Sequence, residues 1–466
     1  MTPLISFQEK MLALAARHDY FERAKSYAYE YMDGINQRNV YPTAEALRNL
    51  DVFDEPLPKS ACPPSEMLQW LHDYGSPATV ATTGGRYFGM VVGSVFPPVV
   101  AVKWLTDVWD QLSALYVTSP VTAKLEEVSE KWLLEILGLP RSCKTGFVSG
   151  TSLATLCGLA AGRYELLKRS GWDVNANGLF GAPPFRVVLG AEAHSSVFKA
   201  LALLGLGKDR VELAPVDEQG RLDFQKLPPL DDHTMLILQA GNVNSGSFDP
   251  LDELCEAAQA ANAWVHIDGA FGIWAAASRQ KAYLTKGLDK ADSWSLDAHK
   301  TLNTPYDSAV VICKHPEALA AAMQATGSYI LYGDERDGML YTPEMSRRSR
   351  AIEFWATLKT IGRNGVEELV DGLCERAEQF AVEMQAAGFE ILNEVMFNQV
   401  LVACDSTQQS AAMIKHLQQS GECWCGSAVW KKRPVIRVSV CSWATTAVDI
   451  VRTVAAFRTA RQAVAE

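Results

Sequence analysis

Apolar and polar positions change period along the chain. Residues 7–36 carry Met11, Leu12, Ala15 and Phe21 at helical spacing, which predicts an amphipathic helix. Tyr41–Pro64, rich in proline and acidic residues, reads as an extended connector. From about 80 to 345, helical patterns at 121–137, 152–169 and 251–262 are interleaved with short apolar runs at 186–189, 235–238, 264–267 and 309–312. Such runs between helices predict buried strands of a largely parallel sheet covered on both faces. Beyond 346 come helices at Ser349–Ile361 and 366–387, a strand-like Val435–Val440 and a last helix at 447–462, as in a small α+β unit. The expected division is an N-terminal helical segment over 1–80, a large sheet domain over 81–345 and a small domain over 346–466. In open α/β sheets ligands lie beyond the carboxyl ends of the strands, so chemistry is sought just after each run.

Composition narrows the classes. The chain has 466 residues, too many for one small core. A net charge of −11 without a basic block argues against a nucleic-acid partner. Stretches such as Met90–Val102 are too short and too interrupted to span a bilayer, and the N-terminus does not read as a secretory signal. Ten scattered cysteines fit buried, reduced thiols of a cytoplasmic protein. Cys423 and Cys425 have neither redox nor zinc spacing, and no metal site is expected.

Asp268 ends the run beginning at Ala263, an expensive place for a carboxylate unless it meets a cation. The next apolar segment, from Ser293, ends in His299-Lys300. A lysine in a semi-buried site favours its amine form and can attack an aldehyde to form an imine. Pyridoxal 5′-phosphate requires such a lysine and a carboxylate that keeps its ring nitrogen protonated. A structural ion pair at the sheet edge is the competing reading of Asp268 and Lys300. Ser149-Gly150-Thr151-Ser152 at a helix start suits a phosphate, although a plain N-cap looks the same. Ala193-His194-Ser195-Ser196 then brings an imidazole to the same rim.

Together these residues resemble the group II pyridoxal-phosphate-dependent amino-acid decarboxylases, which include the aromatic-L-amino-acid, glutamate and cysteine-sulfinate decarboxylases. The likeness is carried by Ala193–Val197, His266–Ala270 and Asp297–Lys300. Ser247–Asp249, Ser119-Pro120 with Leu125-Glu126, and Ser346–Arg350 followed by Phe354-Trp355 support it. It implies fold type I, like aspartate aminotransferase, with a mostly parallel seven-stranded large-domain sheet and a small α+β C-terminal domain. It further implies a homodimer in which the 7–36 segment packs on the partner.

By the same resemblance Lys300 is the Schiff-base lysine, Asp268 the partner of the ring nitrogen and His194 the residue stacked on the ring. Thr151 and Ser152 hold the phosphate, His299 lies near phosphate or substrate carboxylate, and Ala270 packs under the ring. Tyr329, in a glycine-containing loop over 327–342, stands where the family carries a proton-donating tyrosine, with Tyr332 its nearest rival. Tyr87 and Phe88 fall near the substrate pocket, which favours an aromatic or sizeable aliphatic L-amino acid, while Arg86 keeps an acidic one open. Three departures bear on the substrate: the loop from Tyr329 to Arg347 is a few residues shorter than in the aromatic enzymes; Gly241–Asn244 replaces a Thr-rich stretch, so that Asn242 contacts the cofactor hydroxyl or carboxylate differently; and Asp297 stands where some relatives carry an asparagine touching the phosphate, a repulsive charge there unless protonated or turned away. The expected reaction is decarboxylation to the amine and CO2. The alternatives are an aminotransferase using Arg437 for the α-carboxylate, a decarboxylating aldehyde synthase and a carbon–carbon lyase.

Overall fold

The computed structural model describes residues 6–325 and 332–465. The central sheet has seven strands: β1 (Lys144–Val148), β2 (Arg186–Gly190), β3 (Glu212–Ala214), β4 (Thr234–Gln239), β5 (Trp264–Asp268), β6 (Ser293–Asp297) and β7 (Ala309–Cys313), in the order β1-β7-β6-β5-β4-β2-β3. Only β7 runs against its neighbours β1 and β6. The other six therefore share one direction, and their carboxyl ends open on a single edge. β4 to β7 are buried along their whole length, as expected in a sheet covered on both faces, even where Ser293, Ser295 and Asp297 interrupt the apolar pattern of β6. β1 was not legible as a strand, because Lys144, Thr145 and Gly146 interrupt its apolar pattern.

Two glycines set how closely helix Thr151–Arg169 lies on this sheet. A Cβ at Gly158 would meet His266 Cε1 at 2.6 Å, and one at Gly162 would meet Trp264 Nε1 at 2.7 Å. His266 is wholly buried, with Nδ1 on Ser293 Oγ at 2.8 Å and Nε2 on Ser295 Oγ at 3.3 Å. Burial pushes its imidazole down to about 3, so it is a neutral core residue.

The C-terminal sheet comprises β8 (Gln399–Ala403), β9 (Gly426–Trp430) and β10 (Arg433–Ser439), all antiparallel in the order β8-β10-β9. Helix Ala351–Ala386 crosses between the two sheets and breaks at Gly362, whose φ of 64° no helix contains. That break is the boundary expected between the helices at 349–361 and 366–387. Residues 86–88 lie along the small sheet: Phe88 N–H donates to Trp424 O at 2.8 Å and Ser439 N–H to Phe88 O at 2.9 Å.

The N-terminal segment differs from expectation in two places. The single helix expected over 7–36 is two, Phe7–Ala15 and Asp19–Gly34, each with an acidic residue in its first turn where the helix dipole favours one. The connector also contains a short helix, Ala44–Arg48, whose start Thr43 caps through Ala46 N–H at 3.2 Å. Among the described residues no helix is long and apolar enough to cross a membrane.

Candidate active site

The shared edge gathers the residues singled out above. Ala309 of β7 lies opposite both Val148 of β1 and Asp297 of β6, so the ends of β1 and β6 are level. Helix Thr151–Arg169 starts just past β1, and its Thr151 N–H donates to Asp297 Oδ1 at 2.7 Å. The other oxygen of Asp297 holds Lys300 Nζ at 2.9 Å. The carboxylate thus joins the helix start to the lysine. Burial raises its pKa, but Lys300, His299 and the Thr151 N–H outweigh that and keep it below the ordinary range.

Asp268 closes β5, buried to 7% exposure, with Oδ1 accepting from Ala270 N–H at 3.1 Å. Ala270 O in turn accepts from Asp297 N–H at 3.0 Å, which ties the ends of β5 and β6 together. Burial drives the Asp268 carboxyl upward, against the pull of His194 and Lys300. His194 caps helix Ser195–Leu203: its Nδ1 accepts from Ser196 N–H at 3.2 Å and contacts Ser196 Oγ at 2.7 Å. The cap pins the ring and leaves Nε2 to carry the proton of the neutral imidazole. Burial holds this imidazole below its ordinary pKa; Asp268 pulls it up, while Lys300 and Arg437 push it further down.

His299 is buried, its Nδ1 accepting from Ser308 N–H at 3.1 Å and its Nε2 lying 3.5 Å from Asp297 Oδ1. Tyr306, half exposed at 51%, stacks on it with ring centroids 4.1 Å apart. The Tyr87 ring stacks on Trp424 with centroids 4.9 Å apart. Arg437 is half-buried and donates to Val243 O at 2.9 Å; among the described residues it meets no carboxylate.

Several expectations are corrected. Phe88 is fully buried in the C-terminal core near Phe380, so it packs the fold and lines no pocket. Arg86 is spent on Glu422 O, Asn36 O and Arg38 O, with Glu422 and Asp449 as ion partners, and is not free for an acidic substrate. Asn242 anchors its own loop instead of presenting a free amide: Oδ1 takes the N–H groups of Asn244 and Ser245, and Nδ2 donates to Glu192 O. Asp297 is not left as a bare charge near the phosphate position, because Lys300 Nζ and the Thr151 N–H occupy its two oxygens. Tyr329 lies outside the described residues; its rival Tyr332 donates to Ala325 O at 2.8 Å. Sequence reasoning missed Tyr306, although it stands in the turn directly after the His-Lys pair, where chemistry was expected.

Residues 87–404 match the family model described as the pyridoxal-dependent decarboxylase conserved domain. The chain belongs to the pyridoxal-dependent decarboxylase family. Aromatic-L-amino-acid decarboxylase of Bacillus atrophaeus is 25% identical over 448 residues, covering 91% of each chain. Acidic amino acid decarboxylase GADL1 of Mus musculus is 27% identical over 69% of this chain, which spans only 60% of that relative's length. Aspartate 1-decarboxylase of Aliivibrio fischeri is 32% identical over 53% of this chain and 48% of its own. In fold the chain resembles Oryza sativa TDC solved with PLP and tryptamine (TM-score 0.87, 19% identity, 99% of both chains) and mouse CSAD (TM-score 0.84, 20% identity, 94% and 98%).

The cofactor of this decarboxylase family is pyridoxal 5′-phosphate, and the residues present fit it. Thr151 Oγ1 is buried without a hydrogen-bond partner among the described residues, at a helix N-terminus that favours an anion. Ser152 stands exposed beside it. Asp268 is a buried carboxylate with a single hydrogen bond, a costly arrangement that a cationic ring nitrogen relieves.

Proposed function

We propose that this chain removes the α-carboxylate of an L-amino acid as CO2 and releases the amine. The observation that carries the reading is the meeting of Lys300, Asp297 and the Thr151 helix start on the strand edge that also presents Asp268 and His194. Pyridoxal phosphate, when bound, supplies an aldehyde carbon for an amine and a ring that takes up the electron pair left as a bond at Cα breaks. Lys300 would hold it through Nζ, with Asp297 Oδ2 placed to balance the charge of that amine whenever it is free and protonated. Asp268 would keep the ring nitrogen protonated. His194, its plane set by Ser196, would supply a flat surface for the ring, and Ala270 a side chain small enough to leave it room. Thr151 Oγ1 and Ser152 serve the phosphate. Tyr329 keeps the role of returning a proton to Cα.

The proposed substrate is an aromatic or sizeable aliphatic L-amino acid, supported by the flat surface of Tyr306 stacked on His299. Arg437 favours a second reading, in which an acidic side chain meets this half-buried cation, which has no carboxylate partner among the described residues. A panel of L-amino acids labelled in the α-carboxylate tests both. Release of labelled CO2 is expected; keto acid formed without CO2 would show an aminotransferase and overturn the proposal. With an acidic substrate, Arg437→Met should raise KM about tenfold or more, the worth of a charged hydrogen bond; with an aromatic one KM should hardly move.

A homodimer is part of the same reading. Neither N-terminal helix buries a residue of its own, and Phe7 (77% exposed), Leu12 (62%) and Val108 (70%) leave apolar surface that a second copy would cover. A monomer by light scattering at working concentration would refute this. All ten cysteines are free and nine are buried, which supports a reducing, cytoplasmic setting.

A further inference from the structure

One amide holds the turn after Lys300. Asn303 is fully buried with a φ of 56°, a left-handed conformation that asparagine adopts more readily than most side chains. Its Nδ2 donates to Lys300 O at 3.1 Å, Thr301 O at 2.9 Å and Cys441 O at 2.9 Å. Its Oδ1 accepts from Ser94 N–H at 3.0 Å and Trp443 N–H at 2.9 Å. Three segments distant in sequence meet on this side chain: the lysine turn, the strap leading into helix Pro97–Trp109, and the chain leaving β10. An amide has two hydrogens and two lone pairs, so the three carbonyls share two hydrogens, one of them bifurcated, and both lone pairs are taken.

The opposite side of the turn is held as closely. Gly93 N–H donates to His299 O at 3.1 Å, and a Cβ at Gly93 would lie 2.1 Å from Lys300 O. Trp443 is fixed to the same strap, its indole N–H donating to Val95 O at 2.9 Å and its ring stacking on Phe96 at 5.9 Å. Where Lys300 Cα sits decides where Nζ can reach, and reacting groups tolerate only small misplacement.

We propose that Asn303 is a positioning residue, locking the Lys300 backbone to the strap at Ser94 and to the C-terminal unit at Cys441–Trp443, so that Nζ stays beside Asp297. The proposal rests on Lys300 being the cofactor lysine, and Asn303 acts only through it. A displacement of either segment is thereby passed to the lysine.

Two variants separate the contributions. Asn303→Gly keeps the positive φ and deletes the amide; Asn303→Asp keeps the two accepted bonds and loses the three donated ones. In protein reconstituted with pyridoxal phosphate, each should move the pH midpoint of the visible band of lysine-bound cofactor by about half a unit or more. Each should also lower kcat about tenfold while KM changes less than about threefold. A lowered Tm with midpoint and kcat unchanged would mark a merely structural residue and overturn the proposal. If neither variant folds, hydrogen exchange in the unsubstituted protein decides: peptides 91–96 and 440–445 should exchange at least about threefold more slowly with cofactor than without, and equal rates would overturn it. Failure of the underlying reading looks different, because the unsubstituted protein would then show no visible band with pyridoxal phosphate and borohydride would trap nothing on Lys300.

Discussion

Replacing Lys300 by alanine or arginine should abolish the visible band of the lysine-bound cofactor and lower kcat by roughly three orders of magnitude or more. The two variants should differ in stability, and that difference tests the geometry. Asp297, buried and bonded to Lys300 Nζ at 2.9 Å, loses its main cation in Lys300→Ala. A buried charge left without its partner typically costs about 3–5 kcal/mol, reduced here by the remaining Thr151 N–H and His299. Arginine keeps a positive charge in place but is not a usable nucleophile, since it stays protonated. Lys300→Arg should therefore be as inactive as Lys300→Ala yet unfold closer to the parent in urea. A visible band or more than a tenth of the activity in Lys300→Arg would refute the assignment.

Asp268→Asn should lower kcat by about two to four orders of magnitude and weaken cofactor retention. Asparagine can still accept the Ala270 N–H bond, so the end of β5 stays in place and the loss reports on charge. The carboxylate is buried, and burial alone favours its neutral form; a protonated ring nitrogen beside it would reverse that preference. Asparagine would offer no negative charge to hold that proton, and the ring would then be a poorer acceptor for electrons released at Cα. Turnover within about threefold of the parent would remove Asp268 from this role.

The largest elements were legible because their signals are local. Continuous apolar runs marked β2, β4, β5 and β7, the apolar segment ending in His299-Lys300 marked β6 and the strand-like Val435–Val440 marked β10, and Gly362 breaks its helix between the two segments read from the chain. β1 and β3 escaped because a strand carrying Lys144 and Gly146, or one of three residues, has too little pattern of its own. Phe88 and Arg86 were misjudged for a related reason. An aromatic and a cation before the cofactor-binding unit look like pocket residues until the chain is seen to run along the small sheet.

The candidate chemistry could be read along the chain: a lysine and a carboxylate at the ends of buried runs, a phosphate-suited helix start, and an imidazole at the same edge. Each depends on residues adjacent in the chain, whose periodicity and capping are short-range properties. Only the tertiary structure decided which groups share the work. Asp297 bridges Lys300 to the Thr151 N–H because β7 sets β1 and β6 level, and Asn303 ties the lysine turn to Ser94 and Trp443 across long stretches of chain. Such contacts follow from strand order and register, which no stretch of local sequence encodes.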